Sequence, residues 1–397
     1  MKKLTSKKLW LLLESRKSRV LSFLALLVLI AASSSDSHER HGKGMGEHYL
    51  LLVNTAYAPQ LSAGKIAQFN QSPYDGIAVA FLHTYETSPI PDPAKMDAQI
   101  AEWKKVTNKD IWPWVFINRL LGIDPASKHP YTTDPYFKQI PGMDLDGKTG
   151  AQKDFLQNWQ NALRTAKDTG APGIVFDPEF YNYQNEYDVG ELAGAIGKKP
   201  PEAVAMLRTL GAQMADTAAS AYPGAILWFL FTGLTHPDYK VVGGVQYYPS
   251  PAYVTMGLLD EIQSKKLPLH LLSGGEGSLG YCHASLDEFQ SSIRKRAGDF
   301  APHLEKYKGI LGLAGTLTLW SDPAAKKGWV KEGACETATA ATVEDLEPYV
   351  ELLLRSYGYN WIYGSVDGGY FAFEPSASRF DAVLSKAKSR TSELKAH

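Results

Sequence analysis

The chain has 397 residues, 44% of them hydrophobic and 21% charged, with a formal net charge of −1. This composition is typical of a globular protein that can bury a barrel-sized core, and it excludes a disordered or fibrous chain. Residues 1–44 hold nine Lys/Arg against three Asp/Glu, which leaves the rest of the chain acidic overall. The charge balance therefore argues against a nucleic-acid partner.

The basic N-terminus has the pattern of an export signal. Seven Lys/Arg precede an apolar run from Val20 to Ala32, and small residues follow that run. The run is shorter than the roughly 20 residues that a membrane-spanning helix requires. We expect residues 1–33 to be an export signal and residues 34–47 a flexible linker, so that the mature protein is periplasmic or secreted. The alternative is an uncleaved signal anchor, which would be the chain's membrane attachment.

Apolar runs of strand length alternate with helix-like segments from residue 49 to the C-terminus. Eight such strand–helix units predict an α/β protein, a single (β/α)8 barrel over residues 48–390 with long loops at its carboxyl face and a tail at 391–397. An open doubly wound sheet would carry a glycine-rich phosphate turn after its first strand, and residues 54–57 carry none. The predicted strands are 48–53, 76–82, 111–117, 174–176, 225–231, 269–272, 310–319 and 361–365, and the predicted closing helix is 376–389.

Reactive groups of such a barrel lie at the carboxyl ends of its strands. The sequence has no His/Cys cluster with metal-ligand spacing, no lysine at a predicted strand end and no glycine-rich phosphate loop, so we expect neither a metal nor a cofactor. Polar and aromatic residues at the strand ends and in the loops that follow favour a carbohydrate partner. The candidate substrate-binding residues are Asn54, Tyr85, Asn118, Arg119, Tyr181, Tyr247 and Trp320.

Two carboxylates end the fourth predicted strand. Asp177 and Glu179 follow the apolar run 174–176, and side chains two positions apart on an extended chain point the same way. Pro178 between them cannot donate to a sheet, which suits the place where strand pairing stops. Neighbouring carboxylates oppose each other's ionisation, and a carboxyl that stays protonated near neutrality can serve as a general acid.

This Asp-x-Glu resembles the strand-four motif of barrel-type glycoside hydrolases. The family 18 chitinase pattern Asp-x-x-Asp-x-Asp-x-Glu ends in the same two acids. At the positions of its two upstream acids, this chain has Pro172 and Val175. The family 25 lysozymes also carry a strand-four Asp-x-Glu. The resemblance implies that Glu179 protonates the glycosidic oxygen, while Asp177 steadies it or orients an acetamido group as an internal nucleophile.

Two alternatives stay open from the sequence. In a competing scheme a second protein carboxylate takes part, and the candidates are Glu276, Asp322 and Asp367. In a different functional class, the same barrel binds an exported polysaccharide without cleaving it, because fold does not determine function.

Cys282 and Cys335 are the chain's two cysteines, and we expect them to form a disulfide in the exported protein. They follow the sixth and seventh predicted strands, whose loops are neighbours in an eight-stranded barrel. Loss of the bond should lower the free energy of unfolding by about 2–4 kcal/mol. Thiol titration of unreduced, denatured protein should detect no free thiol, and two free thiols would contradict the pairing.

Overall fold

The computed structural model describes residues 48–54, 61–83, 93–117, 120, 145, 151–178, 180, 184–235, 240–279, 283, 285–318, 344–364 and 377–393. The predicted export signal and linker, residues 1–47, lie outside these ranges, and so do Cys282 and Cys335. Within the ranges, no helix is both long enough and apolar enough to cross a membrane.

Eight parallel strands close into a barrel, which confirms the predicted fold. Their bounds are β1 Tyr49–Asn54, β2 Gly76–His83, β3 Asp110–Phe116, β4 Gly173–Asp177, β5 Ile226–Phe229, β8 His270–Ser273, β9 Leu311–Thr318 and β10 Tyr359–Gly364. Their order around the barrel is β1-β10-β9-β8-β5-β4-β3-β2. Two further strands, β6 Lys240–Val242 and β7 Val245–Tyr247, form a separate antiparallel hairpin.

Helices surround the strands. Their bounds are α1 Ala63–Phe69, α2 Pro93–Lys104, α3 Ala151–Thr169, α4 Gln184–Tyr187, α5 Val189–Ala195, α6 Pro200–Ala221, α7 Ser250–Lys265, α8 Leu286–Lys306, α9 Glu347–Ser356 and α10 Ala377–Glu393. Side-chain oxygens cap the N-termini of three helices. The capping residues are Ser62 for α1, Asp188 for α5 and Ser285 for α8.

Two glycines let α6 and α7 approach each other closely. A Cβ added at Gly211 would lie 2.0 Å from the carbonyl oxygen of Val254, and one added at Gly257 would lie 2.1 Å from that of Arg208. A larger residue at either position would push the helix backbones apart.

Besides shifts of one or two residues at the strand ends, the structure differs from the prediction in three places. The predicted loop after the fifth strand contains the β6–β7 hairpin, whose Gly243-Gly244 turn has φ values of +57° and +81°. Helices α4 and α5 follow β4 where no helix was predicted. The closing helix ends at Glu393, beyond the predicted end at residue 389 and the predicted barrel boundary at residue 390.

Alternation of side chains separates the barrel interior from the layer between strands and helices. The rings of Tyr49 and Trp228 lie 6.4 Å apart although β1 and β5 are on opposite sides of the barrel, so both rings fill the interior. In the outer layer, the ring of Trp159 on α3 packs against those of Phe176 and Phe229, with centroid distances of 5.2 Å and 6.5 Å. Because Phe176 faces the helices, its neighbour Asp177 faces the interior.

A hydrogen-bonded group closes the amino end of the barrel. The hydroxyl of Tyr49 donates to Oδ2 of Asp110 at 2.9 Å and accepts a hydrogen bond from Nε1 of Trp112 at 2.7 Å. Burial raises the pKa of Tyr49 and also that of Asp110. In this fold the amino end supports stability rather than catalysis.

We expect Asp110→Asn to raise the free energy of unfolding relative to the wild type, by an amount that grows from about pH 4 towards neutrality. Burial raises the pKa of Asp110 above 3.8, so the folded chain holds this proton more tightly than the unfolded chain does. The wild type loses that contribution as the pH rises through the raised pKa, whereas an amide has no proton to lose and still accepts from Tyr49.

Urea unfolding of the wild type and Asp110→Asn between pH 4 and pH 8 measures this difference. Asp168→Asn, at an exposed position of α3, is the matched control and should show no comparable trend. If the difference in free energy of unfolding between the wild type and Asp110→Asn did not change with pH, a raised pKa of Asp110 in the folded chain would be contradicted.

Candidate active site

Asp177 lies at the carboxyl mouth of the barrel. It is the last residue of β4, it pairs with Phe116 of β3, and its carbonyl accepts a hydrogen bond from the N–H of Ile117 at 3.0 Å. The residue is only 4% exposed, and its Oδ1 is shielded from solvent. A carboxylate is therefore fixed by a strand and directed into the barrel mouth.

The chain bends directly after Asp177. The N–H of Phe180 donates to the carbonyl of Pro178 at 3.0 Å, and the ring of Phe180 is buried. Strand pairing stops at Pro178, as the sequence predicts. Glu179, the predicted general acid, lies outside the described residues, so its role stays a prediction.

Glu276 lies on the turn that follows β8. Its N–H donates to the carbonyl of Leu230 at 3.2 Å, and the N–H of Gly274 donates to that of Phe229 at 2.6 Å. The side chain is half-buried, and its Oε2 is shielded from solvent. Since only β5 separates β4 from β8, the two strands are two spacings apart, about 10 Å between backbones.

Glu276 is the one predicted second carboxylate that falls within the described ranges. Asp322 and Asp367 lie outside them. Five predicted substrate-binding residues also lie outside, namely Tyr85, Asn118, Arg119, Tyr181 and Trp320. Asn54 ends β1 and pairs with Gly364, but its side chain is not described.

Tyr247, a predicted substrate-binding residue, ends the β6–β7 hairpin. It is half-buried and packs against the hydrophobic core. The adjacent Tyr248 donates its backbone N–H to the hydroxyl of Tyr253 on α7 at 3.2 Å. The core anchors this end of the hairpin, while Val241 and Val245 are 68% and 54% exposed.

The hydroxyls at the ends of β5 and β8 have structural partners. Oγ1 of Thr232 and Oγ of Ser273 are 3.1 Å apart, and Oγ1 of Thr255 donates to the carbonyl of Thr232 at 3.2 Å. All three side chains are buried. Thr232, a polar strand-end residue in the sequence, thus joins two strand ends to α7.

The sequence reasoning missed aromatic side chains that line the upper barrel. Trp361 of β10 is fully buried and donates from Nε1 to the carbonyl of Gly274 at 2.7 Å. Its ring lies 6.5 Å from that of Tyr363, and on β3 the rings of Trp114 and Phe116 are 6.0 Å apart. Aromatic residues at every second position of two strands were the signal that could have found them.

One further acid near β4 serves the backbone. Glu186 of α4 is 4% exposed, and its Oε2 accepts a hydrogen bond from the N–H of Leu120. This bond ties the segment after β3 to the segment after β4. An acid close to the barrel mouth is therefore not by itself evidence of a reactive group. Within the described ranges, no group of three or more His, Cys, Asp or Glu is placed to hold a metal ion.

No family model and no curated protein matches the chain. Several solved structures align with most of the chain at low sequence identity. An endo-glycoceramidase II from Rhodococcus sp. is 11% identical, with 85% of this chain and 78% of that one covered and a TM-score of 0.47. A glycoside hydrolase 5 lichenase from Caldicellulosiruptor sp. is 11% identical, with 84% and 86% covered and a TM-score of 0.46.

A family 18 chitinase from Flavobacterium johnsoniae is likewise 11% identical, with 87% and 94% covered and a TM-score of 0.42. A sugar phosphate isomerase/epimerase and a D-psicose 3-epimerase also match. Because these TM-scores are below 0.5 and the identities are near 10%, the matches fix neither a family nor an activity.

Proposed function

We propose that this protein is a glycoside hydrolase whose active site is the carboxyl mouth of the barrel. The observation that carries the proposal is the buried carboxylate of Asp177, directed into the mouth at the end of β4 and followed two residues later by Glu179. Glu179 donates a proton to the glycosidic oxygen as the general acid, and Asp177 assists it.

The attack on the sugar has two possible sources. In the first, Asp177 orients a substrate acetamido group, which acts as an internal nucleophile. In the second, a protein carboxylate either attacks the sugar carbon itself or activates a water molecule that attacks it. Glu276 is the protein candidate that we favour, because β8 lies two spacings from β4 and backbone hydrogen bonds fix its turn. A carboxyl separation near 5 Å gives retention, and one of about 6.5–9.5 Å gives inversion.

The substrate is a polysaccharide or glycan that the protein meets outside the cytoplasm. Aromatic faces such as the half-buried ring of Tyr247 suit sugar rings, whose axial C–H groups are apolar. The basic and apolar N-terminus supports the proposed export.

We expect Glu179→Gln to reduce glycan cleavage by at least about 10²-fold while ligand binding and folding stay close to wild type. The amide keeps the shape and hydrogen-bonding capacity of the side chain but has no proton to donate to the leaving oxygen. Release of reducing ends from a panel of polysaccharides measures the loss.

Glu191→Gln is the matched control, because it makes the same chemical change at an exposed position of α5. It should leave cleavage unchanged. Full activity of Glu179→Gln would remove this residue from the mechanism. Wild-type protein that binds a polysaccharide but releases no reducing ends would instead favour the non-catalytic binding barrel.

We expect the two sources of attack to differ in substrate and in trapping behaviour. If Asp177 orients an acetamido group, cleavage requires an N-acetylated sugar, and an oxazoline-like inhibitor binds far more tightly than the parent sugar. Efficient cleavage of a polymer without acetamido groups would exclude that scheme. If a protein carboxylate then attacks as the nucleophile, a mechanism-based fluorosugar should label it, and peptide mapping by mass spectrometry would identify Glu276, Asp322 or Asp367; a carboxylate that activates water instead would not be labelled.

A further inference from the structure

A buried arginine lies beneath the turn that carries Glu276. Arg296 of α8 is 1% exposed, and its guanidinium donates from Nη1 to the carbonyl of Ala314 and from Nη2 to that of Ser273, both at 2.7 Å. These carbonyls belong to β9 and β8. Arg296 therefore joins two adjacent strands at the carboxyl half of the barrel.

This charge has no carboxylate partner within the described part of the chain. The guanidinium packs instead against the rings of Phe300 and Tyr357, with its Cζ 5.4 Å and 5.2 Å from their centroids. Burying a charge costs free energy that carbonyls and aromatic faces offset only in part. A simple apolar side chain would avoid that cost, which suggests that the planar, two-armed guanidinium has a specific task here.

The guanidinium also lies close to Gly275, the residue before Glu276. Gly275 has a φ of +98°, and a Cβ added there would lie 3.2 Å from Cζ of Arg296 and 3.3 Å from the carbonyl oxygen of Ala314. Only glycine adopts this backbone conformation without strain, and only glycine leaves the contact unobstructed.

The same turn is held from two other directions. Nε1 of Trp361 donates to the carbonyl of Gly274 at 2.7 Å, and the N–H of Leu279 donates to that of Gly275 at 2.7 Å. On the opposite side the N–H of Glu276 itself bonds to Leu230. The turn thus has supports from α8, β10 and β5.

We propose that Arg296 is a positioning residue that fixes the Gly274–Glu276 turn and thereby holds the Glu276 carboxylate in place as the second carboxylate of the reaction. The catalytic part of this inference rests on the proposed glycosidase function. The structural part, an arginine that immobilises the turn, stands independently of it.

Hydrogen exchange and kinetics test the two parts separately. In Arg296→Met both guanidinium bonds are lost, and we expect the amides of Gly274 and Glu276 to exchange at least about tenfold faster. We expect kcat to fall by about 10²-fold with KM within about threefold, because small displacements of a reacting group are costly while binding elsewhere is kept. Arg296→Lys keeps the charge, so its amide exchange and its kcat should both lie between those of Arg296→Met and the wild type.

Arg208→Met is the matched control, since it removes an arginine that pairs with Asp260 between α6 and α7, away from the turn. It should leave both amides and kcat unchanged. If Arg296→Met does not fold, Arg296→Lys carries the test, with a smaller increase in exchange expected at the same two amides.

Unchanged exchange at Gly274 and Glu276 would overturn the positioning role. Faster exchange with unchanged kcat would overturn the link to the reaction. If the wild type cleaves no glycan at all, the proposed function fails, and the exchange data alone then decide whether Arg296 fixes the turn.

Discussion

Closure of the sheet between β1 and β10 is the constraint on which the rest of the structure depends. Six residue pairs join the first and last strands in parallel, from Tyr49 with Tyr359 to Asn54 with Gly364. Closure converts the alternation of side chains into an inside and an outside. The interior fills with large aromatic rings at its amino end, and the strand ends meet at the opposite mouth.

Two kinds of support hold the carboxylates at that mouth. Asp177 belongs to a strand, so the pairing of β3 with β4 and the outward packing of Phe176 fix its direction. Glu276 lies beyond its strand, on a turn that accepts a hydrogen bond from Trp361 and lies close to the guanidinium of Arg296. Both arrangements place a carboxyl group on a rigid element, which is the requirement for catalysis by positioned groups.

The barrel was predictable because apolar runs of strand length alternate with helix-like segments along the chain. The direction of Asp177 followed from the same alternation. The hairpin was not predictable, because its strands have three residues each and lie in a segment that otherwise has the pattern of a loop.

The sequence carries a signal for the burial of Arg296. Phe289, Ile293, Arg296 and Phe300 are all buried and lie at helical spacing, so the arginine is on the apolar face of α8. Its carbonyl partners were beyond reach of the sequence, since Ser273 and Ala314 meet it only through the packing of α8 on β8 and β9. Contacts between elements distant in the chain depend on tertiary packing that no local pattern encodes.

The most direct measurement of the central claim is a crystal structure of the Glu179→Gln variant with an oligosaccharide of a polymer that the wild type cleaves. We expect a glycosidic oxygen within about 2.6–3.2 Å of the side-chain amide of residue 179, with Asp177 on the same side of the sugar. An oligosaccharide bound away from the barrel mouth, or a residue 179 directed away from the glycosidic bond, would contradict it.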